Sequence, residues 1–555
     1  MPADTTYRKI ADCSHQSTVT VVTGGMGRVI CEACGDVTIK SESMISGDLD
    51  RSKFSRDADS TEGHHRSEAI LGLGVLAASA FYRPFVFWSD NAWDLSSPIK
   101  PLVYGLVVFL LGLGAYALIG RRVGRPLSTA VAVGLVLLVL VHWNRLRLIH
   151  PVLWIGIAAA SGMGLNRLNY KINRAVAVMA IAVLGLSPII QLVTSHVRAS
   201  ESYPIVELAP RTPVEATGLV EDVLLVVVDS YPALAIADRR FEHDASALRS
   251  TLTDQGYEVA QLAWAQHTFT GLAIPSILEL KPVVDAGPTD FWGNRLSTYE
   301  LLRGNNLVAF SLRSAGYEYF HIESGWDASA CGNVDVCLRA PWLDEITWNL
   351  LVPSVLGGWL VSTYGSFSVP ATLAATESLL DLEDRFDNGR QDYVFAHLLL
   401  PHAPFVVNSE CEVIDQEPQD FESESGSGIE SGVYRSQLLC VDGLIQRISG
   451  IAGTRTAVMI TADHGSTSGG QVGSPPETWT DADIAERFGI LLAYRLPGEC
   501  PSPEAATNIA VMRAIMVCAV DMELPENNGR YLIGAVDPEW VDSDRMDAIQ
   551  ESLGQ

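Results

Sequence analysis

Asp222-Val-Leu-Leu-Val-Val-Val-Asp229-Ser-Tyr-Pro232 is the stretch on which the fold turns. Its six consecutive apolar residues, four of them valine, end in a carboxylate and a proline-containing turn. A half-exposed strand would alternate polar and apolar residues, and a surface helix would show a stripe. An unbroken apolar run, rich in β-branched valine, suits a strand buried on both faces, as in a parallel sheet. Similar runs recur at Tyr319–Ile322, Val394–Leu400, Val458–Thr461 and Gly489–Ala493, with helical stretches between them. Strand and helix in alternation imply an α/β domain whose central, mostly parallel sheet is covered by helices. In such sheets the functional residues gather just past the carboxyl ends of strands. Three runs end that way here, in Asp229-Ser-Tyr-Pro, Pro401-His402-Ala-Pro404 and Ala462-Asp463-His464-Gly465. Between the first and second of these, Gln266-His267-Thr268-Phe-Thr270-Gly-Leu-Ala-Ile-Pro-Ser276 reads as a loop entering a helix. One Asp after a strand can equally be a helix cap. The set, in this order, points to chemistry.

Upstream, the apolar residues concentrate in five segments: Ala69–Trp88, Pro101–Gly120, Leu127–Trp143, Leu148–Leu165 and Ala175–Val193. Each is about 17–20 residues, enough to cross a bilayer core of roughly 30 Å as helix. Five in succession are hard to bury in a soluble core, so the region 67–197 is expected to be a five-helix transmembrane anchor. With the N-terminus cytoplasmic, ten Lys and Arg fall inside (Arg51, Lys53, Arg56, Arg66, Arg121, Arg122, Arg125, Arg167, Lys171, Arg174). Four then fall outside (Lys100, Arg145, Arg147, Arg198), and this bias sets the orientation. Five crossings place everything after Val193 outside the cell membrane. Arg83, inside the first segment and before Pro84, is expected to snorkel to the interface.

The nine cysteines divide in the same way. Cys13, Cys31 and Cys34 precede the anchor. Cys331, Cys337, Cys411, Cys440, Cys500 and Cys518 follow it, where disulfides persist. Six cysteines allow 15 connectivities, and sequence proximity favours 331–337, 411–440 and 500–518. Before the anchor, Cys13-Ser-His15 and Cys31-Glu-Ala-Cys34 bracket Val19-Thr-Val21-Val22-Thr-Gly-Gly, which suits a hairpin. Paired Cys and His on two short turns are how a small ribbon holds structural zinc, without which residues 1–40 are too few to fold on a core. The net charge of −27 disfavours nucleic acid as a partner.

The order of apolar strand and Asp, Thr before a helix, Pro-His-x-Pro and Thr-Ala-Asp-His-Gly resembles the sulfatase-like branch of the alkaline phosphatase superfamily. With a multi-helix anchor ahead of an exported domain, the layout is similar to lipoteichoic acid synthases and phosphoethanolamine transferases. The resemblance implies that Asp229, Asp463 and His464 are metal ligands, that Thr270 is the nucleophile and joins the ligand set, and that His402 contacts the substrate. It implies one divalent metal, zinc or manganese, and allows a second with His267 or His402 nearby. Carboxylates and imidazole suit either metal. A Thr activated in this way would form a covalent phospho-threonine, resolved by an acceptor alcohol or by water. Two departures stand out. No Cys/Ser-x-P-x-R setting surrounds Thr270, which argues against sulfate ester hydrolysis. Thr268, two residues away, is an alternative nucleophile.

The expected layout is a zinc-ribbon-like piece at 1–40 in the cytoplasm, a linker at 41–66 and the anchor at 67–197. A second linker at 198–218, an extracytoplasmic catalytic domain at 219–535 and a polar tail at 536–555 follow. Asn408–Gly432, acidic and rich in Ser and Gly, reads as a solvated loop. Three functions compete: transfer of a phosphoethanolamine- or phosphoglycerol-type group from a lipid-linked donor to an envelope glycan or lipid, hydrolysis of a phosphodiester, and non-catalytic sensing at the membrane. The Thr beside its ligands disfavours the last. The multi-helix anchor favours the first.

Overall fold

A computed structural model of the protein describes residues 17–22, 26–31, 37–41, 51–91, 95, 97–123, 126–142, 170–199, 208, 210–284, 298–386, 388–414, 431–466, 476–527, 529–533 and 539–554. The chain divides into two compact units, Met1–Gly72 and Leu73–Gln555.

The first unit carries a three-stranded antiparallel sheet of β1 (Ser17–Val22), β2 (Met26–Cys31) and β3 (Val37–Ser41). The β1–β2 pairing, from Ser17 opposite Cys31 to Val22 opposite Met26, is the hairpin expected around Thr23-Gly-Gly. Of the four expected zinc ligands, Cys31 ends β2, while Cys13, His15 and Cys34 lie outside the described residues.

The anchor helices are α1 (Arg51–Asp90), α2 (Ile99–Val123), α3 (Pro126–Val141), and α4 (Tyr170–Ile181), which passes through a π-turn at Ala182–Leu186 into α5 (Ser187–Ala199). Among the described residues three helical spans are long and apolar enough to cross a membrane: Ser67–Ser89, Ile99–Ile119 and Ile172–Thr194. These correspond to the first, second and fifth of the five expected segments. The third expected segment, Leu127–Trp143, is helical only as the 16-residue α3, and the fourth, Leu148–Leu165, lies outside the described residues. Glycine lets α3 come close to α1: a Cβ at Gly134 would sit 2.7 Å from Ser79 Oγ.

The remainder is built on a seven-stranded sheet. Its strands in chain order are β4 (Asp222–Asp229), β5 (Glu258–Val259), β7 (Glu318–Ile322), β8 (Val336–Leu338), β9 (Asp392–Pro401), β10 (Thr456–Ala462) and β12 (Leu492–Arg495). In space they run β5-β12-β10-β4-β9-β7-β8. The five strands β10, β4, β9, β7 and β8 are parallel; at one edge β12 pairs antiparallel with β10, and β5 pairs antiparallel with β12. Every residue of β4, β9 and β10 is buried, which requires cover on both faces and accounts for the unbroken apolar runs.

The run Gly489–Ala493 is not one parallel strand. Gly489–Ile490 forms β11, paired with β6 (Ala263–Trp264) in a separate ribbon, and only then does β12 enter the sheet. The chain leaves β10 at the carboxyl edge and returns from that edge, so β12 must run antiparallel.

The sulfur pairs Cys331–Cys337, Cys411–Cys440 and Cys500–Cys518 are bonded, with Cα separations of 6.0, 5.0 and 5.2 Å. Residues from Ser543 to Gly554, expected to be a polar tail, form a helix whose Met546 and Ile549 are buried with Trp264 and Phe488. Polar composition hid two apolar residues one helical turn apart, enough to dock it. Arg83 also departs from expectation. It is 5% exposed, and its guanidinium donates to the Asn349 carbonyl at 2.9 Å.

Candidate active site

Four polar groups converge where β4, β9 and β10 end. Parallel register sets this up: Val228 pairs with Ala462 on one side and Val227 with His397 on the other. Asp229, Asp463 and His464 therefore emerge side by side. Thr270 opens the helix α6 (Thr270–Leu278), which brings its hydroxyl to the same place. Thr270 Oγ1 lies 3.0 Å from His464 Nε2. The same Nε2 lies 3.3 Å from Asp463 Oδ2 and 3.7 Å from Asp229 Oδ1.

Backbone groups orient these side chains. Asp463 Oδ1 accepts from the amides of Ser230 (3.2 Å) and His464 (2.8 Å), leaving Oδ2 turned to the centre. His464 Nδ1 lies 3.0 Å from the Gly465 carbonyl oxygen. A carbonyl can only accept, so Nδ1 carries the proton and Nε2 turns its lone pair to the centre of the cluster, where the Thr270 hydroxyl can donate to it. Ser230 adopts φ +63°, a costly conformation for a side-chain-bearing residue. It is held there by the bond to Asp463 and by Tyr434 Oη, which donates to its carbonyl at 2.8 Å. Gly465 cannot be replaced freely, since a Cβ would overlap the carbonyl oxygens of Glu486 and Gly489.

Two residues join the site that the sequence reading did not include. His397 sits within β9, fully buried, with Nε2 3.7 Å from Asp229 Oδ2 and neither ring nitrogen hydrogen-bonded. Its sequence signal was a single polar residue inside an apolar strand. Arg487 lies near the end of α7 (Asp481–Phe488) and has no motif around it. Its guanidinium donates to the carbonyls of Thr268 (2.8 Å) and Gly465 (3.0 Å), and Nη2 is 3.3 Å from His464 Nε2.

Burial governs the protonation of the cluster. It pushes the Asp229 carboxyl well above the carboxylate range, and the charge of Asp463 adds to the shift while Arg487 opposes it. It holds His464 well below the usual imidazole range, with the Arg487 cation acting in the same sense. His397 is lowered to about 4, again first by burial, with Asp463 opposing. Neutral imidazoles among crowded carboxylates are a site waiting for a cation.

The atoms test that directly. Among the described residues, Asp229 Oδ1, Asp463 Oδ2 and both His397 nitrogens are buried without a hydrogen-bond partner. Asp229, His397 and Asp463 form a group that could hold a metal ion, with one ligand atom from each all within 4.8 Å of one another. Leaving such groups unpaired is costly, and a divalent cation satisfies all of them at once.

The other expected residues lie around this centre. His402 stands exposed just past β9, its Nδ1 2.7 Å from the Ala403 carbonyl oxygen. Its charge acts on both His397 and His464, so it borders the cluster without joining it. His267 is buried, with its pKa lowered to about 3 by desolvation, and falls outside the metal-capable groups among the described residues. Thr268 meets Arg487 through its backbone carbonyl, whereas Thr270 presents its hydroxyl to His464. Most of the acidic loop, 415–430, lies outside the described residues.

No protein-family model matches the chain, and no curated protein does. Solved structures do. Those matched include phosphoethanolamine transferases, a lipoteichoic acid synthase and a putative sulfatase. The integral membrane lipooligosaccharide phosphoethanolamine transferase A from Neisseria meningitidis shares 15% identity at a TM-score of 0.34, over 76% of this chain and 88% of that one. The zinc complex of the C-terminal periplasmic domain of EptC from Escherichia coli shares 11% at 0.33, over 56% and 84%. The lipoteichoic acid synthase LtaP from Listeria monocytogenes shares 14% at 0.32, over 58% and 73%. At such scores the likeness decides nothing about the site, whose reading rests on its own atoms.

Proposed function

We propose that this chain is a membrane-anchored, metal-dependent enzyme that moves a phospho-alcohol group, of the phosphoethanolamine or phosphoglycerol type, from a lipid-linked donor to an envelope glycan or lipid. The observation that carries this reading is the Thr270 hydroxyl, 3.0 Å from His464 Nε2, at a helix start and beside two carboxylates with open oxygens. A site that only bound a metal for structure would have no use for a hydroxyl at its mouth.

Asp229, Asp463 and His464 would hold the metal, with His397 adjoining and Thr270 completing the set. When bound, the cation lowers the pKa of a coordinated hydroxyl and neutralises charge on the group being transferred. Thr270 Oγ attacks phosphorus and gives its proton up to solvent, the new Thr–O–P bond forms, and the bond from phosphorus to the lipid alcohol breaks. That alcohol leaves with a proton taken from solvent. The acceptor hydroxyl then attacks the same phosphorus, loses its proton and returns Thr270 to its free form. The first helical turn of α6 presents backbone N–H groups and a positive dipole end to the anionic group. Arg487 fixes the Thr268 carbonyl and the Gly465 turn, so nucleophile and ligands keep one geometry. His402, exposed on the same edge, would contact the transferred group. Water in place of the acceptor alcohol would make the same site a phosphodiesterase.

The test separates nucleophile from ligand. Thr270→Ala should keep most of the metal and lose turnover of a generic phosphodiester by several orders of magnitude, on the order of 10³-fold or more. Asp463→Ala should lose both metal and turnover. Thr268→Ala should be milder. Mass spectrometry of the wild type should find the phospho-alcohol group on Thr270. If Thr270→Ala remains active and Thr268→Ala does not, the nucleophile is Thr268. If both remain active, attack by metal-activated water replaces the covalent route. The C-terminal domain is placed outside the membrane on the charge bias and the cysteine division. Residues 1–40 are assigned a structural zinc on Cys13, His15, Cys31 and Cys34, which Cys31→Ser should remove.

A further inference from the structure

The segment that follows β8 ties the active-site edge to the anchor. Its helix α8 (Glu345–Leu351) starts over the loop that leaves β7: the Glu345 amide donates to the Gly325 carbonyl at 3.0 Å, and the Glu345 carboxylate accepts from the Asp327 amide at 3.1 Å. That loop carries Trp326, whose ring lies 6.0 Å from the ring of His397. The other side of α8 meets the anchor. Ile346 and Leu350 pack on Phe87 near the end of α1. Arg83 donates to the Asn349 carbonyl, and Lys100, at the start of α2, pairs with Asp344. A few residues on, the Val355 amide donates to the Leu140 carbonyl at the end of α3 at 3.0 Å. The end of α1, the start of α2 and the end of α3 lie on one side of the anchor, because the chain reverses between them.

Beside this junction the surface is apolar. Trp342, Val355, Leu356 and Trp359 are 62%, 46%, 49% and 56% exposed. The outward positions of the helix Gly357–Tyr364 add glycine, serine and threonine. No Asp, Glu, Lys or Arg occurs between Glu345 and Glu377 in a chain with 19% charged residues. The exposed positions of that stretch, 355, 356, 358, 359, 362 and 363, all lie beside the junction and carry no charge, and exposed tryptophan beside membrane-spanning helices is the composition of the headgroup level.

We infer that the segment 342–359 is a membrane-interface element, seated in the headgroup and upper acyl region of the same bilayer that holds the anchor. The carboxyl edge of the sheet, with Thr270 and its ligands, then faces the lipid, and a lipid-linked phospho-substrate reaches the site by moving laterally. The route for substrate rests on the transferase reading above, whereas the seating in lipid does not.

The experiment uses the full chain in nanodiscs of phosphatidylethanolamine and phosphatidylglycerol, with a photo-crosslinking benzophenone amino acid at one position at a time. Leu110, 54% exposed on α2, reports the acyl region. Arg390, exposed just before β9 at the opposite edge of the sheet, reports water. Leu356 and Trp359 should give lipid adducts in yields like those at Leu110, with loss of the adduct at Arg390. Adducts absent at 356 and 359 but present at Leu110 overturn the inference. Adducts between two copies of the chain at these positions overturn it as well, and assign the face to a dimer. Adducts absent even at Leu110 overturn the membrane reading and this inference with it. No turnover is measured, so failure of the transferase reading leaves the result unchanged.

Discussion

Replacing Asp463 by Asn should separate the two tasks of that carboxylate. Its Oδ1 accepts from the amides of Ser230 and His464, and an amide oxygen in its place keeps both bonds. Its Oδ2 has no hydrogen-bond partner, and Asp463 contributes to a group whose ligand atoms all lie within 4.8 Å of one another. Two unit negative charges at that spacing repel by about 3 kcal/mol at an effective dielectric constant of 20. Arg487 offsets part of this, and the raised pKa of Asp229 relieves more by protonation. Without metal, Asp463→Asn should therefore stabilise the protein by about 1–3 kcal/mol, which raises the unfolding midpoint by roughly 2–6 °C. With zinc or manganese the sign reverses, because an anionic ligand has been lost. Affinity should fall by at least about 100-fold, or roughly 2.7 kcal/mol. The assay is thermal unfolding of the full chain in detergent, in chelator and then in each metal, with metal content measured alongside. A lower midpoint in chelator would refute the reasoning. Asp463 would then be a stabilising partner of Arg487 and His464, not a ligand held against repulsion.

Glu279 is buried, accepts from the Leu307 amide at 2.9 Å, and has its pKa raised to about 7 by desolvation. An acid whose folded pKa is raised binds its proton more tightly when folded, so its contribution is full below about 4.5 and is lost as pH rises through about 7, by up to about 3 kcal/mol. Unfolding midpoints should fall between pH 5 and 8 in the wild type and change less in Glu279→Gln, which keeps an acceptor and does not titrate. Gly465→Ala should not fold to an active protein, since its methyl would overlap two backbone carbonyl oxygens that cannot move aside. Circular dichroism and protease resistance will show this, and a folded, active variant would contradict the geometry. A reporter active only in the cytoplasm, fused after Gln555, should be silent, and strong activity would reverse the proposed topology.

The runs Val223–Val228, Val394–Leu400 and Val458–Thr461 were legible as strands because burial on both faces selects mostly apolar residues, and that constraint is written locally. Asp229, Asp463 and His464 stand at or just past strand ends and Thr270 at a helix start, so their positions were legible too, as were three disulfides between neighbours in sequence. What stayed hidden depends on partners far along the chain. His397 is one polar residue in an apolar strand until the register sets it opposite Val227, beside Asp229. Arg487 lies in an unremarkable helix until that helix folds across the site. Arg83 looked like a side chain reaching for water, yet it is capped by a carbonyl 266 residues away. Gly489–Ala493 read as one strand and became two, because the edge from which the chain returned, not its composition, set its direction. Local sequence determines what a segment can be. Its neighbours across the sheet, chosen by register and packing, determine which polar groups meet.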